Sequence, residues 1–289
     1  MENGFVDCHC HISAQEFEQD LDDVIKRTTQ AGVKTLVAVT EDQREFDRVL
    51  QLKKSYGALI APCFGVHPLQ SDGGPDKRSV KPQDLEAALP YFYQHSEELV
   101  AIGEIGLDFT PWFAPSEQEK DDQMKVFVQQ LEVAKELNLP VNVHSRSAAK
   151  VTISTMKEQG VTGALLHNFA GKLSVAFDGI KAGYFVSFPP AVCTNPQVHA
   201  DVLFYLVVKT IKLPFYLQKV KLIKQIPLEH ICLETDSPAL GLNKHERNEP
   251  CNIGLVCQYI AQIKGLSTET VQFVTSQNAQ RLFTKINQL

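Results

Sequence analysis

Six side chains of the types that bind divalent metals recur along this 289-residue chain: His9 and His11 in VDCHCH, Glu104 in AIGEIGLD, His144 in VNVHSR, His167 in LLHNFAG and Asp236 in CLETDSP. Imidazole nitrogens and carboxylate oxygens together suit Zn2+, Mn2+ or Mg2+. Taken singly the signals are weak. A histidine at a strand end is often a satisfied polar residue, and Glu104 or Asp236 would serve equally as a helix N-cap or a surface charge. The set gains force only if a fold gathers it. Six protein ligands exceed what one hydrolytic ion with open positions needs, so the set predicts two divalent ions. Such a pair polarises a phosphoryl oxygen, lowers the pKa of bound water and stabilises both attacking and leaving oxygens. Glu104 has two oxygens and so can bridge the ions. Asp236 is the candidate general base for the attacking water.

The elements that must position these residues follow from hydrophobic periodicity. Short apolar runs alternate with longer helical patterns, which is the sequence form of repeated βα units and a parallel sheet. Eight candidate strands are present: Gly4 to His9, Thr35 to Val39, Leu59 to Val66, Leu99 to Ile105, Val141 to His144, Gly163 to His167, Tyr184 to Ser187 and Ile231 to Thr235. Helical stretches include Glu16 to Ala31, Glu41 to Ser55, Gln83 to His95, Ser116 to Leu137 and Ala148 to Gln159, with two more near Asn252 to Ile263 and Thr268 to Phe283. In Ser116 to Leu137, Val126, Leu131, Ala134 and Leu137 form a stripe suited to face a sheet. The expected fold class is therefore α/β, a TIM (β/α)8 barrel in one domain over residues 1–289. In such a barrel the active site lies at the C-terminal strand ends, where all six candidates fall. His9 and His11 are two apart on the first strand, so both imidazoles point to one side. Alternation then expects Cys8 and Cys10 to face the helices. An added segment after the seventh strand, from His199 to Tyr216, exceeds a short βα connection. It reads first as an extra helix on the rim and second as a lid.

Composition limits the function classes. With 44% hydrophobic and 21% charged residues the chain can bury a sizeable core. A net charge of -6 excludes a basic coat that would hold nucleic acid by counterion release, so any phosphate contact must be local and metal-assisted. Seven cysteines without paired C-x-x-C spacing suggest reduced thiols. No apolar run of membrane length is present, and the first residues lack the pattern of a signal peptide. An intracellular protein of cytoplasm or nucleus, with no membrane partner and working as a monomer, is the expectation.

The motifs VDCHCH, GVHP at 65–68, GEIGLD at 103–108, PVNVHSR at 140–146, the His167 segment and ETDSP at 234–238 together resemble the TatD family of metal-dependent DNases, within the amidohydrolase superfamily. The resemblance runs over nearly the whole chain. It implies that His9, His11 and Asp236 hold one ion, that Glu104 bridges, and that His144 and His167 hold a second. It also implies that His67 and Asp108 lie near the substrate phosphate. Arg146 and Arg247 are candidate phosphate partners, because a guanidinium grips two oxygens at once, with a surface ion pair as a nearly equal alternative for each. The implied activity is hydrolysis of DNA phosphodiesters, as a 3′ exonuclease on single-stranded ends or by cutting beside abasic sites. Phe109, Trp112 and Phe113 follow the fourth strand and either stack on a base or pack in the rim. The pattern departs from the family at Cys8 and Ser13, which removes no ligand, and in the added segment, which affects substrate access.

Two rival readings remain at this point. One is another amidohydrolase reaction on a small ester, lactone, amide or phosphotriester, since one barrel and ligand set serves many substrates. That class often bridges its metals with a carboxylated lysine, whereas Glu104 takes the role here. The other is a metal-binding protein without catalysis, against which stands the retention of all six ligands.

Overall fold

The computed structural model describes residues 4–71, 76–193 and 213–288. Its strands are β1 (Phe5–Cys10), β2 (Val33–Val39), β3 (Ile60–Phe64), β4 (Leu69–Ser71), β5 (Lys77–Ser79), β6 (Ala101–Gly106), β7 (Val141–His144), β8 (Ala164–Leu166), β9 (Phe185–Phe188) and β10 (Ile231–Leu233). Eight of them form one sheet in the order β1-β2-β3-β6-β7-β8-β9-β10, with parallel pairing. These are the eight strands expected from sequence. The antiparallel hairpin β4–β5 has no counterpart in that expectation. At the ends of the sheet, the Asp236 N–H donates to the His9 carbonyl at 2.9 Å and the His11 N–H to that of Ser237 at 2.8 Å. The Asp7 carboxylate also accepts from the Thr235 N–H and hydroxyl at 2.9 and 2.5 Å. Those bonds join β1 to β10, so the sheet makes a nearly closed barrel and the strand ends share one rim.

Around it run α1 (Leu21–Gln30), α2 (Phe46–Tyr56), α3 (Pro82–Glu86), α4 (Leu89–Gln94), α5 (Glu117–Glu136), α6 (Ala149–Glu158), α7 (Leu173–Lys181), α8 (Leu213–Gln225), α9 (Ile253–Lys264) and α10 (Thr268–Leu282). The helix expected over 83–95 is split into α3 and α4. Pro90 explains the break, having no N–H to give and a ring that crowds the carbonyl four residues earlier. The α5 helix starts at a reciprocal cap in which the Ser116 Oγ accepts from the Glu119 N–H and the Glu119 carboxylate accepts from the Ser116 N–H. Its stripe is inward as expected, with Val126, Leu131 and Ala134 buried and Leu137 packed at the core margin. Most of the added segment lies outside the described residues, and its end falls in the first turn of α8.

Two apolar clusters support the rim. The larger, including Leu36, Ile60, Phe64, Ile102, Val143 and Leu166, lies between strands and helices. The smaller combines Val6, Cys8, Val37, Cys63, Leu165 and Cys232 with Leu282 and Phe283 at the end of α10. Because strands from opposite sides contribute to it, this cluster fills the barrel interior beneath the rim. Cys10 packs in the helix-side cluster as expected, but Cys8 does not: it belongs to the interior floor. The strict period of two fails there because the β1–β2 register shifts between Asp7 and Cys10.

Candidate metal centre

The six predicted ligands meet on the rim. His9 Nε2 lies 3.3 Å from His11 Nε2, 3.5 Å from Glu104 Oε2 and 3.7 Å from Asp236 Oδ1. His11 Nε2 lies 3.4 and 3.5 Å from the same two oxygens. An ion bonded at about 2.1 Å to tetrahedral ligands would space them about 3.4 Å apart, so this group has the dimensions of a metal shell. The other Glu104 oxygen, Oε1, faces a second group, 2.8 Å from His144 Nδ1, 2.7 Å from His167 Nε2 and 3.3 Å from His67 Nε2. Among the described residues three donor groups are compact enough to hold an ion: His9 with His11 and Asp236, His67 with Glu104 and His144, and His9 with Glu104 and His167. His67, which the family resemblance set beside the substrate phosphate, therefore also meets the Glu104 carboxylate.

Two of the rings, His9 and His144, are aimed by a partner behind them. His9 Nδ1 is 2.8 Å from Asn142 Oδ1, while the Asn142 amide donates to the Cys8 carbonyl at 2.8 Å. That second bond fixes the amide orientation, so the Asn142 oxygen must accept from Nδ1–H and Nε2 is left for an ion. His144 is turned the other way. Its Nε2 meets Asp108 Oδ2 at 3.0 Å, leaving Nδ1 toward Glu104. Asp108 in turn is held by the Thr110 N–H at 3.0 Å and by Arg146, whose Nε and Nη2 lie 2.7 and 2.6 Å from Oδ2. Gly106 permits this approach of β6 to β7: at φ +139° it takes a backbone form that favours glycine, and a Cβ there would lie 2.0 Å from the His144 carbonyl oxygen. His167 differs, because its Nδ1 is buried with no hydrogen-bond partner among the described residues and stands 3.8 Å from Glu234 Oε2.

Electrostatics agree with a cation site. Burial opposes ionisation of Glu104, yet the surrounding His167, His67, His9 and His11 hold its carboxyl well below the usual range. Burial likewise opposes charge on His144, but Asp108 and Glu104 raise it to about 9. Asp236 and Glu104 raise His11 in the same way, against its burial. The carboxylates thus draw positive charge to the ring nitrogens, which a divalent ion held by these residues would supply in place of protons.

The remaining candidates divide. Asp108 is fully buried and serves His144 and Arg146, whereas the Arg146 side chain is 53% exposed. Arg247 is committed elsewhere: it makes a paired contact with Asp20 at 2.7 Å, bonds Glu249 at 2.9 Å and lies over Phe17. Trp112 is exposed, Phe113 carries the Arg146 guanidinium 5.5 Å from its centroid, and Phe109 packs against the core. Sequence reasoning missed Asn142 and Glu234, although Asn142 lies two residues before His144 in β7 and so shares its side of the strand. It also missed Lys219 on α8, for which periodicity offered no signal.

An eight-stranded α/β barrel with clustered histidines and carboxylates at its strand ends defines the class of metal-dependent hydrolases. Comparison narrows that class, for residues 6–284 match the TatD related DNase family. The chain belongs to that family. It is 58% identical to the tatdn3 protein of Danio rerio, covering 99% of each chain. It is 48% identical to human deoxyribonuclease TATDN3, covering 99% of this chain and 97% of that one. Among solved structures, the Escherichia coli TatD homologue YJJV superposes with a TM-score of 0.80 at 25% identity, over 98% of this chain and 99% of that one.

Proposed function

We propose that this protein hydrolyses DNA phosphodiester bonds with two divalent ions, as a 3′ exonuclease on single-stranded ends and as an endonuclease at abasic sites. The supporting observation is the division of Glu104, whose Oε2 faces His9 and His11 while Oε1 faces His144 and His167. The name carried by the human relative supports DNA as the substrate. When bound, Mg2+, Mn2+ or Zn2+ would supply Lewis acidity at the phosphoryl oxygen and acidify the attacking water. Asp236, 3.5 Å from His11 Nε2, accepts the proton of that water as general base. Asn142 and Asp108 hold the His9 and His144 rings, so little reorganisation accompanies the reaction. Arg146 offers its outward-facing donors to the phosphate while Asp108 retains Nε and Nη2. Exposed Trp112 supplies a face on which an unpaired base stacks, a contact worth about 1–3 kcal/mol.

The test is turnover of labelled single-stranded and abasic duplex DNA with added Mg2+, Mn2+ or Zn2+, beside a Glu104→Ala control and a panel of small esters. Cleavage of DNA by the parent but not by the control is the expected result. Equal cleavage by both, or turnover of the esters alone, overturns the reading.

A further inference from the structure

A phosphodiester brings negative charge to a centre whose own wall is acidic, with Glu104, Asp236, Glu234 and Asp7 all buried. Arg146 lies beside Asp108, on the side formed by β6 and β7. On the side formed by β8 and β10, Lys219 reaches in from α8. It is 5% exposed, its Nζ donates to Asn168 Oδ1 at 2.6 Å, and its ammonium is near enough to Glu234 and Asp236 to interact with both charges. Asn168 directly follows the ligand His167. It sits at φ 42°, a left-handed backbone uncommon outside glycine, and is held there by its N–H bond to Glu234 Oε1 at 2.8 Å. Strained residues of this kind persist where surrounding structure fixes them, often at ligand sites. Burying an ammonium is costly, and placing one beside a metal ligand puts it where a substrate anion would lie.

We propose that Lys219, positioned by Asn168, forms a phosphate subsite on the β8–β10 side of the metal centre, separate from Arg146 on the β6–β7 side. The inference rests on the proposed phosphodiester substrate. Lysine suits the role as a compact point charge with several donors, and Asn168 holds the ammonium in place. With no substrate bound, the same ammonium offsets the charge of Glu234 and Asp236, and a lysine with that structural duty alone is the competing explanation.

The two explanations separate when phosphate and metal binding are measured independently on the full chain. Lys219→Met keeps the length of the side chain without its charge, Lys219→Arg keeps the charge, and Asn168→Gly keeps the backbone form without the amide. Binding of inorganic phosphate with Mg2+ present, and binding of Mn2+, both by calorimetry, are the readouts. The expected result is that Lys219→Met weakens phosphate about 10- to 100-fold, the worth of one charge-assisted hydrogen bond, with Mn2+ affinity unchanged and partial recovery in Lys219→Arg. Should Lys219→Met fail to fold, Asn168→Gly carries the test and must weaken phosphate in the same direction. Unaltered phosphate affinity in the folded variant, or an equal loss of Mn2+ and phosphate, overturns the subsite. A parent that binds phosphate without cleaving DNA overturns the nuclease reading and leaves the subsite standing.

Discussion

His144 Nε2 lies 3.0 Å from Asp108 Oδ2, and this bond turns the ring so that Nδ1 meets Glu104 Oε1 at 2.8 Å. A buried carboxylate outside the ligand set therefore decides which nitrogen of His144 is offered to an ion. Asn142 aims His9 in a similar way, whereas His167 Nδ1 has no hydrogen-bond partner among the described residues.

Asp108→Ala should weaken divalent-ion affinity about 10- to 100-fold, because the ring loses its anchor and the partner that makes it more basic. Calorimetric titration with Mn2+ checks this. An affinity equal to the parent's would mean that packing alone orients the ring.

Glu104→Ala removes the carboxylate that faces both donor groups. Its turnover should fall by more than about 100-fold, beyond the loss from a supporting residue alone. Elemental analysis of the purified variant should find fewer ions per chain than in the parent. A full complement of ions would contradict the bridging role.

Asn142→Leu leaves His9 Nδ1–H without its acceptor and the buried Cys8 carbonyl without its donor. The expected cost is about 1–3 kcal/mol of stability, the penalty of burying unsatisfied groups. Urea unfolding of the metal-free protein measures it, and an unshifted midpoint would show that neither bond matters.

Gly106→Ala should destabilise the protein and lower its affinity for Mn2+, since the added methyl meets the His144 backbone rather than a movable side chain. The strained φ costs about 1–3 kcal/mol before the clash is relieved. Thermal unfolding and metal titration together test this, and loss of stability with intact metal binding would separate fold from site.

Arg247→Ala should leave the KM for DNA unchanged, because its guanidinium is occupied by Asp20 and Glu249. A raised KM would return this residue to the phosphate role that its charge first suggested.

The fold was legible in sequence because apolar periodicity is a local property: eight runs of strand character, separated by helical patterns, leave few arrangements other than a barrel. The ligand types were legible for a related reason, since each stands at the end of a run, where the barrel builds its sites. Helix breaks were less so, as with Pro90, whose effect depends on where in a turn it falls. Periodicity also misplaced Cys8, because a register shift in β1 cancels the alternation on which that reading relied.

What only the tertiary structure decided is orientation and partnership. Nothing local separates Arg146, which stays beside the centre on Asp108, from Arg247, which is bound to Asp20. Nor does any local pattern pair His9 with Asn142 or bring Lys219 to Asn168. These contacts join residues distant in the chain, and their geometry is set by barrel closure and side-chain packing, whereas periodicity records only which face of its own element a residue occupies.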